Sequence, residues 1–235
     1  MAHGQNGCPR CSDIGELACG KLDPSSPEAM ELRRIFREKA LSTVFQPIVA
    51  CEDGEVIGWE ALLRGPEGPL HRPLDLFHAA ERHGCLVELD MLARRLALRR
   101  FADSPVGDTG QLFLNVMIDS VRAEESYETL TAGCVEALGV HVGRIVIEIS
   151  ELHPSPDTSA IVRAVTRFQR DGFRVALDDV GTGYNGLHLW AETRPDIIKV
   201  DRYFVDGIHA CGKKRRFPQG TAARMPCRSG LSSCS

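Results

Sequence analysis

Nowhere in the 235 residues is there a run approaching the roughly 20 consecutive apolar residues of a membrane-crossing helix, and the start, Met1-Ala2-His3-Gly4-Gln5-Asn6, lacks the apolar stretch of a secretion signal. Both absences predict a soluble, cytoplasmic protein with no membrane partner. Acids are missing altogether after Asp206, while six basic residues follow it: Lys213, Lys214, Arg215, Arg216, Arg224 and Arg228. Setting those six aside turns the formal net charge of −4 into −10 for the rest of the chain. So acidic a body argues against nonspecific DNA binding and suits a site that gathers divalent cations to meet an anionic substrate. The basic end is expected to be a solvated tail rather than a nucleic-acid patch. Also lacking is a second close pair of metal-binding residues to match Cys8-Pro9-Arg10-Cys11, although His3 and Cys19 lie nearby. Structural zinc normally takes four ligands. These cysteines are therefore expected to be reduced thiols in a disordered N-terminal segment, residues 1–27, with a zinc knuckle as the alternative.

Beyond that segment the chain alternates regularly. Ser25-Ser26-Pro27-Glu28 offers N-cap residues, a proline tolerated in the first turn and an early acid, and Leu32, Ile35, Phe36 and Ala40 recur at helical spacing, so a lead-in helix is predicted. Thr43 to Ala50 and Glu55 to Leu63 read as strands joined at Glu52-Asp53-Gly54, which predicts an antiparallel hairpin. Helices are predicted from Leu74 to His83, closed by Gly84, and from Val87 to Phe101. A strand at Leu112 to Val116, a helix at Glu124 to Leu138 and a strand at Arg144 to Ile149 come next. A helix from Thr158 to Arg170, ending at Asp171-Gly172, and strands at Phe173 to Leu177 and Asp196 to Val200 complete the series. Short β-runs alternating with amphipathic helices predict an α/β fold, a TIM-like (β/α) barrel with an antiparallel first strand pair. In such barrels the active site lies where the C-terminal strand ends converge.

Polar residues recur at those ends. Glu60 follows Val56-Ile57-Gly58-Trp59, Asn115 follows Leu112-Phe113-Leu114, Glu148 follows Ile145-Val146-Ile147, Asp178 follows Val175-Ala176-Leu177 and Lys199 follows Ile197-Ile198. Taken singly, other roles serve as well: Asn115 bonding neighbouring backbone, Lys199 pairing with Asp178, Glu151 capping the helix after Pro154. Together they form an oxygen-rich set that suits Mg²⁺ or Mn²⁺ rather than zinc. Asp178 and Asp179 are adjacent, so on a plain strand they would point to opposite faces; at a strand end one or both can turn into the mouth. Two ions roughly 3.5–4 Å apart could then activate a water and stabilise the leaving oxygen of a phosphodiester. His71, His78, His83 and His188 have no partner spacing and are expected at the surface or in packing.

The segments Glu60-Ala61-Leu62-Leu63-Arg64 and Asp178-Asp179-Val180-Gly181-Thr182-Gly183-Tyr184, together with Phe45-Gln46-Pro47-Ile48 and Lys199-Val200-Asp201, resemble the EAL-domain phosphodiesterases, which hydrolyse cyclic di-GMP to linear pGpG. The resemblance implies a barrel of the EAL type with Mg²⁺ or Mn²⁺ in a two-metal site. It implies metal ligation by Glu60, Asn115, Glu148, Asp178 and Asp179, and catalytic roles for Lys199, which contacts the catalytic water, for Asp179 and for Glu151. Glu151 would hold the loop at Gly181-Thr182-Gly183-Tyr184, whose glycines permit the turns of a mobile lid. Arg64 and Gln46 match substrate contacts, and a guanidinium forks well onto phosphate oxygens.

From about Leu41 to Ile208 the chain is barrel-like, whereas a complete barrel takes about 250 residues. The last strands are therefore expected to be missing. On this basis residues 28–208 form a partial EAL domain with its lead-in helix, and residues 209–235 a non-homologous, basic, disordered tail. An open barrel leaves edge strands that invite pairing, so a homodimer through the barrel is one expected partner arrangement beside cyclic di-GMP itself. Hydrolysis is expected to be impaired. The alternatives are a binding or scaffold protein that holds cyclic di-GMP without cutting it, and a nonfunctional fragment.

Overall fold

Apolar residues make up most of each of the runs Val56–Arg64, Gln111–Asn115, Ile145–Ser150, Arg174–Val180 and Ile197–Val200, and each forms a strand, β2 to β6. The computed structural model describes residues 14–50, 55–108, 110–117, 126–150, 158–180, 186–200 and 226–228. β1, Ser42–Ala50, pairs antiparallel with β2 and sets Gln46 opposite Glu60. β2 to β6 then lie side by side in chain order, all parallel. The antiparallel first pair and the parallel units after it are thus as the residue pattern predicts, while the Glu52-Asp53-Gly54 turn lies outside the described residues.

Helices connect the strands. They are α1 Ile14–Lys21, α2 Pro27–Glu38, α3 Pro73–Arg82, α4 Leu86–Ala102, α5 Ser126–Ala137, α6 Thr158–Arg170 and α7 Gly186–Thr193. α2 begins where Ser26 caps the backbone N–H of Ala29, with Pro27 in the first turn, and it buries Leu32, Ile35 and Phe36. In α6 the buried residues Ile161, Ala164, Val165 and Phe168 recur at three- and four-residue spacing, so one stripe of the helix faces the sheet.

A strand places successive side chains on opposite faces, and a parallel strand covered on both sides is apolar almost throughout. One face of β3 to β6 therefore packs Leu112, Leu114, Ile147, Val175 and Ile198 against Phe101, Val135 and Phe168 of the helices. The other face carries a second, smaller cluster of Ile48, Phe113, Val146, Ala176 and Ile197 inside the curve of the sheet. Each Val, Leu, Ile or Phe among them, fully buried, contributes about 1.5–3 kcal/mol. Room for the Phe113 ring comes from Gly58: a Cβ there would lie 2.5 Å from Phe113 Cε2 and 2.6 Å from the Gln111 carbonyl oxygen.

In three places the structure departs from what the residue pattern predicts. α1 falls inside the segment expected to be a disordered tail, and Ile14, Ala18 and Leu22 join the core formed by α2 to α4. Eight residues give too few turns for an apolar period to stand out from the surrounding Gly, Ser and Asp. α7 forms directly after the Gly181 to Tyr184 stretch, where no helix is expected. A three-residue strand, β7 at Pro226–Arg228, pairs antiparallel with β1, opposite Ile48, Val49 and Ala50, although it lies in the end expected to be disordered. β7 approaches β6, but among the described residues no strand pairing joins the two, and the barrel is not closed.

Candidate metal centre

Two positions after each residue of the inner apolar layer, on the same face of the strand, stands a polar one. Asn115 follows Phe113, Glu148 follows Val146, Asp178 follows Ala176, Lys199 follows Ile197, and Glu60 follows Gly58. β1 runs the other way, so Gln46 precedes Ile48 and lies across from Glu60. Between β3 and β4 the register is level, Asn115 pairing with Glu148 as Phe113 below pairs with Val146; at the neighbouring pairs it is staggered by two residues, Glu60 pairing with Phe113 and Glu148 with Ala176, the stagger that a curved barrel wall imposes. The apolar cluster is thus the floor of the mouth, and the polar residues form the layer directly above it.

Although charged, Glu60, Glu148, Asp178 and Lys199 are at most 4% exposed. Lys199 Nζ donates to Glu60 Oε2 and to Asp178 Oδ2, each at 3.2 Å, and to Glu148 Oε1. Asn115 Nδ2 donates to Glu60 Oε1 at 3.4 Å. The three carboxylates each bring an oxygen within 4.8 Å of the others. Glu148 Oε2 is buried and has no hydrogen-bond partner among the described residues. A buried oxygen left unpaired costs about 1–3 kcal/mol, more when charged. Three buried carboxylates, one with an oxygen whose lone pairs are unused, fit a hard divalent cation. Glu60, Glu148 and Asp178 would be its ligands, with the Asn115 amide beside Glu60.

Burial pushes the Glu148 carboxyl up to about 8; the Lys199 ammonium opposes the rise, and Glu60 and Asp178 add to it. Without a cation, so concentrated a negative charge gathers positive charge from elsewhere, here the Lys199 ammonium.

Asp178 and Asp179 sit on a local irregularity of β5. Leu177 pairs with Ile198 and Val180 with Val200, so two residues of β5 oppose Lys199 alone. Such a bulge bends the strand and re-aims its side chains. Sequence alone does not disclose this irregularity, which is set by the pairing with β6. Arg64 ends β2 at the same rim, half-buried, with Nη1 donating to the Leu63 carbonyl at 2.7 Å. Glu151 and the Gly181-Thr182-Gly183-Tyr184 loop lie outside the described residues, as do Cys8 and Cys11. His71 bonds the Gly65 carbonyl oxygen through Nδ1 at 3.0 Å, and His83 meets Glu28 at 3.1 Å. Residue pattern gives no hint of a second buried charged group, Asp90 with Arg94 at 3.0 Å on α4, where Arg94 also donates to Thr131 of α5 at 2.9 Å.

Fold and site define a class: (β/α)-barrel-type proteins with a buried carboxylate cluster at the C-terminal strand ends. A family model described as the EAL domain matches residues 29–225, and the chain belongs to the EAL domain family. An uncharacterized signaling protein of Caulobacter vibrioides is 30% identical over 185 residues, which cover 77% of this chain and 22% of that protein. The probable cyclic di-GMP phosphodiesterase PdeB of Escherichia coli is 29% identical over 181 residues, covering 75% of this chain and 34% of that protein. This chain therefore spans about a fifth to a third of the length of these relatives. Among solved structures, a standalone EAL protein of Vibrio cholerae in its c-di-GMP-bound form is 27% identical, with a TM-score of 0.66 over 77% of this chain and 74% of that one.

Proposed function

We propose that the chain is a phosphodiesterase that opens cyclic di-GMP to linear pGpG with Mg²⁺ or Mn²⁺ bound in the carboxylate layer. The observation that carries this reading is the buried group of Glu60, Glu148 and Asp178 around Lys199 at the strand ends. A relative named as a probable cyclic di-GMP phosphodiesterase and a neighbour solved with c-di-GMP support the choice of substrate.

Opening the ring requires a water oxygen to attack phosphorus while the bond to one 3′ oxygen breaks, leaving a 5′-phosphate and a 3′-hydroxyl. The divalent ions, when bound, supply charge that neutralises the phosphate and acidifies the attacking water. Arg64, at the rim, forks onto the non-bridging phosphate oxygens. Gln46, across from Glu60 on β1, offers an amide to the substrate. Lys199 Nζ, a donor without lone pairs, orients the water. Asp179, on the bulge beside Asp178, adds a further carboxylate to the ligand set, and Glu151 holds the glycine-containing loop over the mouth.

The test is chromatography of cyclic di-GMP incubated with the chain and Mn²⁺. Linear pGpG is expected, with none in a chelator and none from Glu60→Ala, which removes both a ligand and a charge from a shared oxygen cage. Full activity in Glu60→Ala, or binding of cyclic di-GMP without any product, would overturn the proposal.

A further inference from the structure

We infer that Lys199 is a built-in stand-in for the divalent cation: its ammonium holds the three carboxylates together in the metal-free protein and is displaced from them when the ion enters. This rests on the metal-site reading above and adds a step to it. Four observations converge. The ammonium is itself buried, 2% exposed, so it was brought out of water to lie here. It reaches oxygens of all three acids that form the candidate ligand set, Glu60, Glu148 and Asp178, rather than pairing with one. Those acids come from β2, β4 and β5, and the lysine from β6, so a single charge ties together four strands of a sheet in which, among the described residues, no pairing closes the ring. And the same three acids, each with an oxygen within 4.8 Å of the others, are what a divalent ion would bind.

An ammonium and a divalent ion cannot share those oxygens at full strength: like charges a few ångströms apart in a poorly solvated site repel strongly. Buried carboxylates without a cation repel one another just as strongly, so the metal-free state needs the lysine. Lys199 therefore lowers the affinity for the metal while keeping the empty site assembled.

Calorimetric titration of Mn²⁺ into the full chain and into Lys199→Gln, which keeps a hydrogen-bond donor but loses the charge, separates the possibilities. Metal affinity about tenfold higher or more in Lys199→Gln is expected, together with a melting temperature that falls by several degrees without metal and recovers with it. Equal or weaker Mn²⁺ binding by Lys199→Gln, with wild type binding normally, overturns this inference and leaves the metal site standing. No Mn²⁺ binding by wild type overturns both. Because Lys199→Gln without metal could fail to fold, the wild-type chain provides a second reading through reductive methylation and peptide mass mapping. Lys199 should be protected without the ion and react faster in saturating Mg²⁺; an unchanged rate overturns the inference.

Discussion

Glu148 is the residue on which burial acts most visibly. Its carboxyl is raised from an ordinary 4.5 to about 8, chiefly because burial penalises the ion. A carboxyl that binds its proton more tightly when folded contributes stability that is fully present below pH about 4.5 and lost as pH rises through about 8. In metal-free protein the melting temperature should therefore drop between about pH 5 and 8 more steeply for wild type than for Glu148→Gln. Parallel curves would contradict the assignment. Individual site residues were legible because each ends an apolar run: Glu60, Asn115, Glu148, Asp178 and Lys199 all stand in one polar layer. Their partners were less so. Taken singly, Lys199 could equally pair with Asp178 alone, whereas in the structure three strands deliver carboxylates to it.

At the scale of elements, two features carry consequences beyond the site. Gly58 is open to the Phe113 ring and to the Gln111 carbonyl, so Gly58→Ala forces either the floor or the β2–β3 pairing to move. Overpacking of this kind costs about 1–3 kcal/mol, to be read as a lowered urea midpoint; an unchanged midpoint would mean that the floor yields freely. The Asp90–Arg94–Thr131 group bridges α4 and α5 with both charged side chains at most 5% exposed. Asp90→Ala leaves an arginine buried without that carboxylate and should destabilise by about 3–5 kcal/mol; a loss under about 1 kcal/mol in equilibrium unfolding would show that water reaches the gap. Neither feature could be read from sequence. Asp90 and Arg94 look like an exposed i,i+4 pair until α5 covers them. The bulge at Asp178-Asp179 depends on the register that β6 adopts, which no local residue pattern records. Strands β1 to β6 and helices α2 to α6, by contrast, announce themselves through long apolar periods bounded by Ser-Pro, Gly or Asp-Gly.

Over the whole molecule, a sheet wound with its site at one end brings together acids up to 118 positions apart, from Glu60 to Asp178, in a chain whose net charge of −4 masks its acidic body. The position of the mouth followed from the alternation of strands and helices. The course of the chain at its two ends did not, because α1 is short and β7 borrows its strand form from the edge of β1. If strand ends far apart in sequence make one cation centre, as proposed, a divalent ion must sit among their carboxylates. Anomalous diffraction from crystals of the full chain soaked in Mn²⁺ tests it most directly. The expected result is manganese signal within bonding distance of Glu60, Glu148 and Asp178, with Lys199 Nζ withdrawn from those oxygens; manganese bound elsewhere on the molecule, with these three carboxylates still gathered around the lysine, would contradict it.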